Sequence, residues 1–141
     1  PQDPTRMKSR PIPDEVIRRR ARHVISENQR VLNAVSCLWK SDVVQFGALM
    51  NTSHESLRDN YEVTGQELDA MAEEAWKIPG VVGSRMTGAG FGGCTVSIVK
   101  EKAVDQFLNE VGKNYFARTG LTPEFYMAEI SQGVRKVSSE R

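Results

Sequence analysis

Residues 84–95 read Ser84-Arg85-Met86-Thr87-Gly88-Ala89-Gly90-Phe91-Gly92-Gly93-Cys94-Thr95, and four of the six positions from 88 to 93 are glycine. Glycine loses more backbone freedom on ordering than any other residue, so such a run disfavours a regular element. It suits a chain that needs positive φ or must lie close against another group, such as a phosphate or a sugar. Branched residues flank the run on both sides. Val81–Met86 and Cys94–Val99 therefore predict two strands joined by a glycine loop.

On either side of the two strands the period changes from two to three and four. Asp14 is placed to cap a helix to about residue 40, with Ile17, Ala21, Val24, Ile25, Val31, Leu32, Val35 and Leu38 as its apolar positions. A second helix starts at Ser41 or Asp42 and runs through Val43, Phe46, Met50 and Leu57, with polar last turns. The third carries a capping box, Thr64 with Glu67, and a staple, Val63 with Leu68; Pro79-Gly80 ends it. A fourth turns Val104, Phe107, Leu108, Val111 and Phe116 inward until Gly120, and Phe125–Ile130 reads as a third strand. Trp39 and Trp76 end apolar stripes and are read as core. The sum is α+β: helices packed on one side of a small, mostly antiparallel sheet, a ferredoxin-like two-layer arrangement. Residues 1–13 hold four of the six prolines and read as an extended arm or linker, leaving 14–141 as one domain.

Composition bounds the function. The 141 residues suffice for one ordinary core, and 39% apolar with 26% charged residues fits a globular protein. A net charge of +1 argues against a nucleic-acid partner, and Arg18-Arg19-Arg20 with Arg22 reads as a solvated helix face. No apolar run is long enough for a membrane span, and no leader pattern stands at the start, so a cytoplasmic location is expected. Cys37 and Cys94 lack the paired spacing of a disulfide framework or a zinc site.

Several glycine-loop chemistries can be tested against this context. Gly88, Gly90 and Gly93 satisfy G-x-G-x-x-G, but a strand follows where the dinucleotide fingerprint needs a helix. Gly88 and Gly93 have P-loop spacing, but Cys94 stands where the phosphate-binding lysine belongs. Strand–loop–strand order with Lys100 suits a protein-kinase loop, yet no H-R-D or D-F-G follows. A purely structural loop packed on a neighbouring backbone remains open.

The full string from Ser84 to Val96 closely resembles the third signature motif of the sugar and metabolite kinases that include galactokinase, homoserine kinase, mevalonate kinase and phosphomevalonate kinase. Arg85-Met86 before the glycines, with Phe91 and Cys94, is most similar to the galactokinase branch. Two further stretches agree: Arg19–Val24 with Glu27-Asn28, and Ser53–Asp59 with Tyr61-Glu62-Val63. The likeness spans roughly residues 14–137. It implies the carboxy-terminal part of a two-domain enzyme that uses ATP and Mg2+ to phosphorylate the C1 hydroxyl of galactose. The sugar-recognition motif, phosphate loop and catalytic aspartate of that family belong to the amino-terminal domain, which would be this chain's missing partner. No catalytic residue or metal ligand is therefore assigned here, and the chain alone is expected to be inactive.

By the same resemblance, Ser84, Arg85, Met86 and Thr87 lead into the cleft, and Gly88, Ala89, Gly90, Phe91, Gly92 and Gly93 line it and support the phosphate loop. Arg85 either neutralises phosphate charge or makes an interdomain ion pair. His54 is a secondary candidate, read against a purely structural role. A kinase for a related sugar such as N-acetylgalactosamine, a sugar- and ATP-binding sensor acting by protein contact, and a free-standing interaction module are the alternatives. A large exposed apolar face beside the glycine loop would speak against the last.

Overall fold

The computed structural model describes residues 14–129. The arm expected over residues 1–13 lies outside the described residues. Asp14 Oδ1 accepts from the Ile17 amide at 3.0 Å and opens α1, Glu15–Trp39. Asp42 does the same for Gln45 at 3.0 Å and opens α2, Val43–Ser56. Both caps occupy an amide that the helix itself cannot satisfy. A π-helical turn, Leu57–Tyr61, continues α2 and ends at Glu62, whose φ of 59° is left-handed. Then come α3 (Gln66–Trp76), β1 (Val81–Thr87), β2 (Cys94–Val99), a 3-10 turn (Glu101–Ala103) and α4 (Val104–Thr119), which Gly120 closes by donating to Phe116 O.

The strands pair antiparallel, with Ser84 opposite Ser97, Met86 opposite Thr95 and Thr87 opposite Cys94. Helices and this small antiparallel sheet make up the α+β arrangement expected. One apolar cluster, Ala75, Ile78, Phe107 and Val111, joins α3 to α4 beneath Val81 and Val99. A second, Leu57, Leu68 and Met86 with Val63, lies under the approach to the glycine loop. Glu74 is buried between α3 and α4, where it accepts from Lys77 (2.7 Å), Arg118 (2.9 Å) and Asn114 (3.2 Å). Burial works to raise its pKa, but these donors outweigh that and hold it below the ordinary 4.5.

The side of β1 turned away from β2 is closed by side chains. The Ser84 amide donates to Asn51 Oδ1 at 2.8 Å, and the Met86 amide donates to His54 Nδ1 at 3.0 Å. Trp76 Nε1–H donates to Ser84 O at 3.0 Å, and Arg85 Nε to Met86 O at 3.0 Å. Four backbone groups that would otherwise form an open sheet edge are thus satisfied. Helix α2 comes this close because Gly47 has no side chain. A Cβ there would lie 1.9 Å from Val82 O, and one on Gly83 would lie 2.6 Å from Gly47 O.

Some expectations change. Helix α3 is capped by Gly65 (φ 83°) with no side-chain bond, so the Thr64–Glu67 capping box does not form. Thr64 is buried instead, while Val63 keeps its contact with Leu68's cluster. Trp39 is 85% exposed, and Phe116 is turned outward while Tyr115 takes the inner position after Phe107 and Val111, at four-residue steps. Residues 125–129 carry no strand; the Phe125 ring packs edge-on against Phe107, centroids 5.9 Å apart. Ile130 lies outside the described residues. The periodic apolar face of α1 forms, but Ile17, Val24, Ile25, Val31, Leu32 and Leu38 are all exposed. Among the described residues no helix is long and apolar enough to cross a membrane.

Candidate functional site

The glycine loop is the turn between β1 and β2. It rests on one backbone group: Phe91 N–H donates to Val63 O at 2.8 Å. At Gly90 a Cβ would stand 2.0 Å from that same carbonyl, and φ there is +91°. Only glycine meets both conditions. The Gly93 amide folds back on Gly90 O at 3.3 Å, which tightens the loop. Among the described residues, the amides of Gly88, Ala89 and Gly92 make no hydrogen bond to the protein. A short loop with several unengaged N–H groups and positive φ angles is the kind of backbone that receives anionic oxygens. Around Gly88 and Gly92 a Cβ would meet open space.

Replacing Gly90 with alanine is therefore expected to lift the loop off Val63 and to cost more than about 1 kcal/mol, since alanine neither fits nor tolerates this φ. Gly88→Ala, strained in φ alone, is the milder comparison. Urea midpoints and the Phe91 amide shift report the two effects separately.

The residues singled out from sequence divide into two groups. Ser84 and Met86 are buried and build the scaffold; Ser84 Oγ bonds Ser97 Oγ at 2.8 Å, and Met86 fills the cluster under the loop. Thr87, Gly88, Ala89, Phe91, Gly92 and Gly93 are exposed and form the accessible surface, with Gly90 half-buried between them and Val63. Arg85 stands between these groups. Besides its bond to Met86 O, its Nη1 lies 3.5 Å from Glu27 Oε1 on α1.

Glu27 also accepts from Ser53 Oγ (2.6 Å) and Arg30 Nε (2.7 Å). Burial pushes its pKa up, but the Ser53 hydroxyl and the two guanidiniums outweigh it, so Glu27 is held below the ordinary range. These groups line an open pocket of about 90 Å3 between α1 and α2, with Val31, Phe46, Leu49 and Met50 as its apolar walls.

His54 is fully buried, edge-on to Trp76, and both ring nitrogens are engaged. Nδ1 accepts from the Met86 amide, so the proton sits on Nε2, which donates to Asp69 Oδ1 at 3.2 Å. Burial lowers its pKa below the ordinary 6.5, against the pull of Asp69. No ring nitrogen is left for a ligand. His23 is similar: Nδ1 lies 3.0 Å from Ser56 Oγ, the ring packs on Tyr61, and burial lowers its pKa.

Sequence reasoning missed Asn51, Asp69, Glu62 and Val63. For Asn51 a signal existed, because Gly47, Asn51 and His54 share one face of α2. Val63 acts through its carbonyl and left none. Among the described residues no group of three or more His, Cys, Asp or Glu side chains is placed to hold a metal ion.

The family described as "GHMP kinases C terminal" matches residues 34–117. A galactokinase of Fusobacterium nucleatum is 57% identical over 126 residues, 89% of this chain and 32% of its own length. One of Bacillus subtilis is 48% identical over 92% of this chain and 33% of its own. The crystal structure of Lactococcus lactis galactokinase complexed with galactose superposes with a TM-score of 0.82 at 47% identity, covering 84% of this chain and 31% of that one. The chain thus spans about a third of the length of these relatives. It belongs to the GHMP kinases, and the region it matches is their carboxy-terminal domain.

Proposed function

We propose that this chain is the carboxy-terminal part of a galactokinase, which transfers the γ-phosphoryl of ATP to the C1 hydroxyl of galactose in a cleft completed by an amino-terminal domain. The observation that carries the reading is the 47–57% identity to galactokinases along most of this chain, together with a glycine loop that presents free amides. Phosphoryl transfer depends on positioning and on stabilising charge over the phosphoryl oxygens. The unengaged amides of Gly88, Ala89 and Gly92 suit such oxygens, either directly or through the phosphate loop of the other domain. Mg2+, when bound, would neutralise phosphate charge, and its ligands are expected in the amino-terminal domain. The exposed apolar face of α1, unusual for a helix of a free-standing unit, supports burial against that domain. The expected compartment is the cytoplasm.

The test is a chimera in which this chain follows the amino-terminal two-thirds of the Fusobacterium nucleatum relative. ATP-dependent phosphorylation of galactose by the chimera, and none by the 141-residue chain alone, is expected. A soluble chimera that binds sugar and ATP without turnover would show that this chain does not complete a galactokinase site and would overturn the reading.

A further inference from the structure

The glycine loop hangs on the Val63 carbonyl, and the residue before Val63 is held in an uncommon way. Glu62 is one of only three non-glycine residues with positive φ among those described. A left-handed glutamate persists where its surroundings hold it. Its two carboxylate oxygens are divided between neighbouring arginines of α1: Arg19 Nη1 at 2.6 Å from Oε1, and Arg20 Nη2 at 2.5 Å from Oε2. The same arginines donate to the last carbonyls of the π-helical turn, Arg19 to Asp59 O at 3.1 Å and Arg20 to Asn60 O. Arg20 also lies over the Tyr61 ring, 5.9 Å from its centroid. The Glu62 and Val63 amides both return to Leu57 O, closing the turn from inside. Four polar contacts from one turn of α1 thus lock residues 59–62, and the next residue supplies the acceptor for Phe91 N–H.

Resting on the kinase reading above, we infer that the Arg19–Glu62–Arg20 clamp is the positioning device for the glycine loop. It acts through Val63 and sets where the loop's free amides stand relative to the phosphoryl oxygens. Neither arginine is free to serve as an anion patch, which gives the basic run of α1 a definite task. Helix α1 also carries the exposed apolar face, so the clamp ties the loop to the surface on which the amino-terminal domain would rest.

The test uses two variants, Glu62→Ala and Glu62→Gly. Both remove the carboxylate, and the second also relieves the positive φ. In the 141-residue chain, amide exchange is followed at Phe91 and at Met86, whose acceptor is His54. Opening of the loop alone predicts exchange about tenfold faster at Phe91 in both variants, with Met86 unchanged. In the chimera, misplacement of the loop predicts a kcat about tenfold lower at unchanged KM for galactose. Wild-type protection of Phe91 in Glu62→Gly would overturn the proposal. So would equal acceleration at Met86, which signals general loosening, or an unchanged kcat in an active chimera. Should either variant fail to fold, Arg19→Gln, which removes half the clamp, is read by the same criteria. An inactive unsubstituted chimera would instead remove the kinase reading, and amide exchange alone would decide the clamp.

Discussion

Gly47→Ala is expected to destabilise the protein by about 3 kcal/mol, the upper end of what overpacking costs. The added methyl would stand 1.9 Å from Val82 O and 2.5 Å from Val82 C, so it meets backbone rather than a side chain that could swing aside. Relief requires α2 to move off β1. That movement lengthens the Asn51–Ser84 and His54–Met86 bonds together, because both donors sit on β1 and both acceptors on α2. Helix propensity works the other way, since alanine is better than glycine in a helix by about 1 kcal/mol. A net loss therefore isolates the contact. Chemical unfolding of the two proteins measures it, and a Gly47→Ala protein as stable as the parent would show that the close approach is not required.

His54 carries the second large effect. His54→Leu leaves the Met86 amide buried without an acceptor, which costs about 1–3 kcal/mol. It also removes the bond to Asp69 and the edge-on contact with Trp76. His54→Asn can place Oδ1 near the position of Nδ1 and should recover part of the loss. The same site governs acid sensitivity. Burial holds the folded-state pKa of both His54 and His23 below 6.5, so below that pH the unfolded chain binds protons that the folded one resists. Stability is full above pH about 6.5 and falls as pH drops toward the lowered values, by up to about 1.4 kcal/mol per pH unit for each histidine. Glu27, Glu62 and Glu74, all held below 4.5, lose their contribution only at lower pH. Just below pH about 6.5 the slope therefore belongs to the histidines, and His54→Asn should lower it. An unchanged slope would assign the acid response elsewhere.

Local signals in the sequence led to the four helices and the two paired strands, but not to a third strand, which residues 125–129 do not form. Asp14 and Asp42 start their helices because an acidic side chain at that place satisfies a free amide, an interaction three residues long. The glycine loop declared itself for the same reason, since strand character on both sides leaves a hairpin as the simple path. Boundaries failed where a neighbour only one residue away competed: Gly65, free to take positive φ, displaced Thr64 as the cap of α3.

What periodicity cannot say is what covers a face. Trp39 and the α1 stripe have the spacing of a buried helix, yet nothing among the described residues lies over them. The support of the site was hidden for another reason. Asn51 and His54 act on backbone groups 33 and 32 residues away, and Val63 acts through its own backbone carbonyl. No side-chain identity encodes a partner of that kind. The candidate loop was legible in sequence; what holds it in place was not.

The closed edge of β1 also bears on how the molecule fails. Four satisfied backbone groups make that strand inert toward other chains only while α2, Trp76 and Arg85 stay in place. A molecule whose α2 has peeled away still has a formed hairpin, now with a bare row of donors and acceptors ready to pair with a second copy. Lesions along the α2–β1 contact should then lower the yield of soluble protein and add aggregation on heating, beyond the stability loss that chemical unfolding reads. Substitutions on the exposed loop, which leave this cover untouched, should stay soluble even where they end its function.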